Sequence, residues 1–389
     1  MHAWPASFPV PAPCAPRSEW VTPACALFPG LAESLAATPQ DRIHHAEGDV
    51  WTHTQMVVDE LLALPAYAAL DEPQRGVVFY AALLHDMAKP STTREQDGRI
   101  IAPGHSSRGA IDARVALWEH GVAFELREQV CRIIEVHQVP FFAFNNRRGL
   151  PAEYVARQLA CDRSLALLCM VAEADMRGRI CQDQQKVLDD IELFGELARE
   201  LGCWDAPYPF PTPATRLAYL RDLGQRYPDE PVHESDPFEV IVLSGLPASG
   251  KSRWADANPH LPQVSYDLIR EELGLKHGQG TGTVVHAADD RMRELLRRRE
   301  PFVVNATHLS MQMRARTLDR IHGYGGTVRV LYFEAPLREL LSRNTSRSST
   351  LPNAKIETMA KRWEVPGLTE AAHVDVHLSG PVAKPRPGR

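Results

Sequence analysis

At 389 residues the chain has room for two domains of ordinary size, and 44% hydrophobic with 24% charged residues is a globular composition. A net charge of −6 argues against a protein held along a duplex by a global positive field, but it leaves room for one that grips a strand end. No apolar run approaches the roughly 18 residues of a membrane span.

Residues 1–32 open on MHAWPASFPVPAPCAPRSEW, which lacks a basic start followed by an apolar core. It is expected to be a proline-rich tail and not a signal peptide. From 33 to 203 apolar residues recur at helical spacing, as in WTHTQMVVDELLAL, RGVVFYAALLHDMA, FELREQVCRIIEVH and AEADMRGR. Pro65, Pro90, Pro140 and Pro151 fall between these runs, where helices should stop. Seven cysteines, none in a CxxC pair, point to a reducing, cytoplasmic setting. Proline thickens in CWDAPYPFPTPATR and RYPDEPVHESDP, so 204–236 is expected to be a linker. From 237 to 381 the texture changes to strand and helix. FEVIVLSG, PFVVNAT and TVRVLYFEA are short β-branched runs separated by arginine-rich helical segments, the pattern of a parallel sheet with helices on both faces. Residues 382–389 are expected to be a C-terminal tail. The expected fold is multidomain: an all-α domain followed by an α/β domain with a parallel sheet.

Within the helical half, His53, His85–Asp86, His105, His137 and Asp175 each fall near a helix end or loop edge. One such histidine is more often a hydrogen-bonded core residue than a ligand. A set of imidazoles and carboxylates spread over successive helices of one bundle reverses that balance. Adjacent helical residues diverge by about 100°, yet at a helix terminus His85 and Asp86 can lean toward one ion, and Pro90 marks such a terminus.

In the second half GLPASGKS, residues 245–252, follows an expected strand directly and fits G-x-x-x-x-G-K-[ST]. Gly245 and Gly250 let backbone N–H groups turn toward phosphate oxygens, Lys251 can reach the β and γ phosphates, and Ser252 can offer a hydroxyl to Mg²⁺. Asp267 and Arg270 lie one helical turn apart, as a proton acceptor and a phosphate clamp would. Arg343 and Arg347 share a face at i,i+4 and can close over a triphosphate. PFVVNATH ends in Asn305 and Thr307 without the aspartate of a typical ATPase, which favours a phosphotransferase over a switch.

These second-half motifs resemble the 5′-OH polynucleotide kinase family of P-loop phosphotransferases over about residues 237–380. The resemblance implies ATP or another NTP with Mg²⁺, Asp267 as general base, Arg270 on the terminal nucleotide's 3′-phosphate, and Arg343 with Arg347 as a lid. The helical half resembles the HD phosphohydrolase superfamily over about residues 40–180. The HD domain attached to bacterial tRNA nucleotidyltransferases is particularly similar, through EGD-x-x-x-HT and LLHD-x-x-KP-x-T. That resemblance implies one metal on His53, His85, Asp86 and Asp175, a second involving His105 and His137, and Lys89 on the substrate phosphate. The metals would be divalent ions of the Ni, Co, Mn, Zn or Fe type. His45 has no assigned place in that pattern and is expected to cap a helix or to support the ligands, and Asp49 to support them. The order of the two halves looks like the bacterial HD-Pnk end-healing enzymes. By that likeness the HD domain would remove 2′,3′-cyclic phosphate or 2′-phosphate from RNA or DNA ends, the kinase would phosphorylate the 5′-OH, and a nucleic-acid ligase would follow. Two other readings are an HD phosphohydrolase fused to a nucleoside or antibiotic kinase, and a nucleotide-sensing regulator whose P-loop gates the HD domain.

Overall fold

The computed structural model describes residues 3–232, 238–276, 279–346 and 351–379. The chain divides into two compact units, Met1–Pro209 and Phe210–Arg389.

The first unit is helical. Helices α1 (Arg17–Leu27) and α2 (Leu31–Ala36) lead to α3 (Val50–Ala63), α4 (Pro65–Ala69), α5 (Glu72–Leu84) and α6 (Lys89–Thr92). A small hairpin, β1 (Arg94–Gln96) and β2 (Arg99–Ile101), precedes α7 (His105–Glu119) and α8 (Phe124–Val136). The 3₁₀ helix η1 (Val139–Asn145), α9 (Ala152–Ala160), α10 (Leu165–Arg177) and α11 (Gln184–Glu200) complete it. Helix starts carry their own caps: Asp49 accepts from Thr52 N at 2.9 Å, Asp71 from Gln74 N at 2.8 Å, and Ser164 from Leu167 N at 3.3 Å. Helices α5 and α10 are buried almost along their whole length and form the centre, with α3 and α8 packed on them. Each large apolar side chain buried there contributes roughly 1.5–3 kcal/mol.

The expected N-terminal tail is part of this unit. Trp4, Phe8 and Trp20 are buried, and Trp4 and Phe8 pack their rings against Tyr80. Its carbonyls accept from buried tyrosines: Tyr67 Oη donates to Pro11 O at 2.7 Å and Tyr80 Oη to Pro9 O at 2.9 Å.

The second unit contains α12 (Pro213–Arg221), β3 (Glu239–Ser244), α13 (Lys251–Asp256), β4 (Gln263–Ser265), α14 (Tyr266–Glu272) and α15 (Thr281–Arg298). It continues through β5 (Phe302–Asn305), α16 (Met311–Gly323), β6 (Thr327–Glu334), α17 (Leu337–Thr345), α18 (Asn353–Ala360) and β7 (His373–Leu378). Five parallel strands run in the order β4-β5-β3-β6-β7. Alternation in β3 sends Val240 and Val242 to one core and Ile241 and Leu243 to the other, so helices cover both faces.

The expected linker is not one. Residues 204–209 belong to the helical unit, where the Arg199 guanidinium lies 4.0 Å from the Trp204 ring centroid. From 210 onward the chain belongs to the second unit: Arg216 on α12 donates to the carbonyls of Leu368, Ala371 and Ala372. Proline density marked helix starts and turns here, such as Pro213 in the first turn of α12 behind its Thr212 cap. Residues 382–389 lie outside the described residues. Among the described residues no helix is long and apolar enough to cross a membrane.

Candidate functional sites

In the helical unit, ligand-type side chains converge from five elements. His53 comes from the first turns of α3, His85 caps the C-terminus of α5 with Asp86 next to it, and His105 opens α7. His137 caps α8, and Asp175 lies in the last turn of α10. Helix ends place the side chains: His85 Nδ1 bonds Ala82 O at 2.7 Å, His105 Nδ1 bonds Ala102 O at 2.8 Å, and His137 Nδ1 bonds Ile134 O at 2.8 Å. In each case the bonded Nδ1 carries the proton and Nε2 is left as the donor atom for a metal.

The ligand atoms of His53, His85 and Asp86 lie within 4.8 Å of one another, as do those of His85, His137 and Asp175, and those of Asp86, His105 and His137. All six residues are buried. The Nε2 atoms of His85 and His137 are fully enclosed and make no hydrogen bond. A buried polar atom without a partner is costly, and a cluster of unprotonated imidazoles beside carboxylates is the donor set of a divalent transition metal. The residues therefore fit the metal centre that the sequence pattern implies.

The charges agree. Burial alone would raise the Asp86 carboxyl, but His85 and Lys89 hold it well below the usual carboxylate range. Burial likewise opposes ionisation of Asp175, and Arg179 with His53 outweighs it. His137 is pushed down to about 3, mainly by burial, so its ring is neutral. His105 is also lowered by burial.

Lys89 Nζ sits 2.7 Å from Asp86 Oδ2 and donates to Gln40 Oε1 at 2.7 Å. Three supporting residues were missed by sequence reasoning. Arg179 grips Asp175 with two bonds, Nε to Oδ1 at 2.9 Å and Nη2 to Oδ2 at 2.7 Å. Glu47 Oε1 lies 2.8 Å from His45 Nδ1 and 3.0 Å from His53 Nδ1, while its Oε2 accepts from Ile180 N at 2.9 Å. Gln40 is the third. The available signals were the i,i+4 spacing of Asp175 and Arg179 and the place of Glu47 in EGD-x-x-x-HT. Asp49, expected to support the ligands, caps α3 instead.

In the second unit, β3 runs into the phosphate loop, and the loop into α13. Gly245 has φ 141°, and a Cβ there would stand 2.2 Å from Phe333 O, so the strand exit needs glycine. Gly250, with φ 114°, precedes α13. Lys251 is buried, and its Nζ donates to the carbonyls of Gly245 and Leu246, each at 2.8 Å. Asn305, at the end of β5, is buried beside Ser252, its Nδ2 lying 3.5 Å from Ser252 Oγ.

A cleft of about 1710 Å³ includes Lys251, Ser252, Asp267, Arg270, Asn305, Arg316 and Arg343 in its lining. That exceeds the roughly 300–1,000 Å³ of a pocket for one small ligand. Asp267 is 77% exposed and pairs with Arg270 at 2.6 Å. Arg343 reaches Ala248 O at 3.4 Å and Ser379 Oγ at 3.2 Å, and pairs with Glu339. The cleft thus brings together Gly250, Lys251, Ser252, Asp267, Arg270 and Arg343. Arg347 lies outside the described residues.

Residues 240–366 match the AAA_33 family, described as an AAA domain. Over 140 residues the chain is 26% identical to L-seryl-tRNA(Sec) kinase of Methanococcus maripaludis, covering 34% of this chain and 55% of the relative. Over 168 residues it is 30% identical to the multifunctional CCA protein of Xanthomonas campestris pv. campestris, covering 41% of this chain and 37% of the relative. The chain thus spans about half or less of these relatives' lengths. A gluconokinase structure from Sinorhizobium meliloti aligns with 39% of this chain and 86% of its own, at 20% identity and a TM-score of 0.26. The protein thus joins a helical N-terminal region to a C-terminal P-loop kinase-like domain that matches the AAA_33 family over residues 240–366.

Proposed function

We propose that the protein is a two-site nucleic-acid end-healing enzyme of the HD-Pnk type. The helical unit removes 2′,3′-cyclic phosphate and 2′-phosphate ends, and the kinase unit phosphorylates a 5′-OH end. The observation that carries this reading is the convergence of six metal-type ligands from five elements in a chain that also holds a phosphate loop.

In the helical unit His53, His85, Asp86, His105, His137 and Asp175 would hold one or two divalent metals. Such ions supply Lewis acidity to a phosphate ester and to the water that attacks it. Lys89 carries a positive charge at the edge of this set and is placed to turn from Asp86 to a phosphate oxygen. Arg179 fixes Asp175, and Glu47 fixes the His53 ring.

In the kinase unit Lys251 would meet the NTP phosphates and Ser252 would hold Mg²⁺. Asp267 accepts the proton of the 5′-OH as its oxygen attacks the γ-phosphorus and the NDP leaves. Arg270, freed from Asp267, takes a phosphate of the acceptor strand. Arg343 and Arg347 neutralise charge on the transferred group. The products, a 3′ end without phosphate and a 5′-phosphate, are the pair a nucleic-acid ligase joins. The likeness to a kinase whose name carries a tRNA-borne acceptor, and to multifunctional CCA proteins, supports a nucleic-acid substrate.

The test is transfer of labelled γ-phosphate from ATP to a 5′-OH oligonucleotide and, separately, to free nucleosides. Labelling of the oligonucleotide is expected. Transfer to nucleosides alone would make the unit a small-molecule kinase, and hydrolysis without any acceptor would make it a regulator.

A further inference from the structure

The helical unit exposes two aromatic rings beside its metal-type cluster. Phe142 is 56% exposed and Phe144 39%, whereas Phe141 and Ala143 between and before them are buried. All four lie on η1, which begins two residues after His137. Exposed aromatic rings offer faces on which flat ligands can stack.

A line of contacts joins Phe142 to the cluster. Arg179, which grips Asp175 at 2.7 Å, lays its guanidinium 5.1 Å from the Phe141 centroid. Phe141 in turn meets Phe142 edge-to-face, with centroids 6.0 Å apart. Beyond η1 the chain turns at Asn146, whose side chain accepts from Leu150 N at 3.0 Å and donates to Leu150 O at 2.7 Å. That turn carries Arg147 and Arg148, both exposed. On a chain of net charge −6 they provide local positive charge next to the rings.

We propose that Phe142, Phe144, Arg147 and Arg148 form the landing strip for the single-stranded nucleic acid whose end enters the metal cluster. Bases stack on the two rings, and backbone phosphates meet the two arginines. Rings can stack only on bases whose faces are free, which selects a single strand over a duplex. Stacking tolerates every base, so the strip reads strandedness and not sequence. The occupant follows from the pairing of aromatic and cationic groups, which suits a polyanion with flat bases better than a protein helix or a lipid surface. The inference rests on the end-healing reading and names how that site holds its substrate.

The experiment uses the full-length, metal-loaded protein and two probes: a short single-stranded RNA ending in a 2′,3′-cyclic phosphate, and a nucleoside 2′,3′-cyclic phosphate. The quantity read is the ratio of kcat/KM for the RNA to that for the nucleotide. Phe142→Ala and Phe144→Ala should each lower this ratio about ten-fold, and Phe142→Trp should restore it. Replacing Arg147 and Arg148 by Ala should lower it and flatten its dependence on salt. A ratio unchanged in all these variants, with the wild type still processing the RNA, would overturn the strip alone. A wild type that processes neither probe would overturn the end-healing reading itself. A change in sedimentation with no change in the ratio would assign the patch to a second copy of the chain and overturn the proposal.

Discussion

His53 reaches its place with both ring nitrogens engaged: Nδ1 lies 3.0 Å from Glu47 Oε1, and Nε2 lies 3.1 Å from Asp175 Oδ1. Burial alone would lower its pKa, but the two carboxylates outweigh burial and raise it. The Glu47 carboxylate, with Gly178 O 3.3 Å from the same nitrogen, holds a proton on Nδ1, so Nε2 faces Asp175 and the cluster. Replacing Glu47 by Gln keeps the shape and removes the charge. Affinity for Mn²⁺ or Ni²⁺, measured by competition with a metallochromic chelator, should fall about 10–100-fold. Unchanged affinity would remove Glu47 from that role. The clustered histidines and aspartates themselves were legible in the sequence, because such residues at helix ends stand out against an apolar background. Glu47 stands in the quoted EGD-x-x-x-HT pattern, but its role was not legible, since it lies in a loop and its partner Ile180 is 133 residues away in sequence.

Helices α7 and α8 present His105 and His137 to the cluster, so the bond between these helices sets the spacing of those two rings. Arg114 on α7 donates to both oxygens of Glu128 on α8, at 3.0 and 3.1 Å from Nε, and all of these groups are buried. Arg127 adds a further bond at 2.9 Å. Burial alone would raise the Glu128 carboxyl, but the two arginines hold it down to about 2 from an ordinary 4.5. A lowered carboxylate stabilises the fold above its unfolded value, so this contribution is full above about 4.5 and is lost as pH falls toward about 2. Glu128→Ala strands two buried guanidinium groups and should cost about 3–5 kcal/mol in chemical denaturation near neutral pH. The variant should also lose less stability than the wild type on acidification through that window, and an equal loss would contradict the assignment. Strands β3, β5 and β6 and the long helices were legible because their apolar patterns are strong. The central β3 has one exposed residue in six, whereas the edge strand β7, HVDVHL, is half-exposed along its length. Strand β4 has only three residues, too few for a pattern. The β1–β2 hairpin is exposed and rests on its turn, where Asp97 and Gly98 both take positive φ.

Across the whole molecule, two compact units each gather groups suited to phosphate chemistry, by different means. The helical unit does so with imidazoles and buried carboxylates, and the α/β unit with a glycine-rich turn and arginines. The division into a helical half and a strand–helix half was legible from the change in periodicity. The limits of each half were not, because proline signals extended backbone without saying what covers it. Trp4 and Phe8 fold onto the helical unit, and the 210–232 segment folds onto the kinase unit, through aromatic and arginine contacts that lie far apart in sequence. The central claim is that the two sites act independently on the two ends of one break. The most direct test is to give Asp86→Ala and Asp267→Asn variants an RNA carrying a 5′-OH and a 2′,3′-cyclic phosphate, with ATP and a panel of divalent metals. The account predicts that Asp86→Ala abolishes removal of the cyclic phosphate and retains 5′ phosphorylation, while Asp267→Asn does the reverse. Loss of both activities in either variant would contradict it.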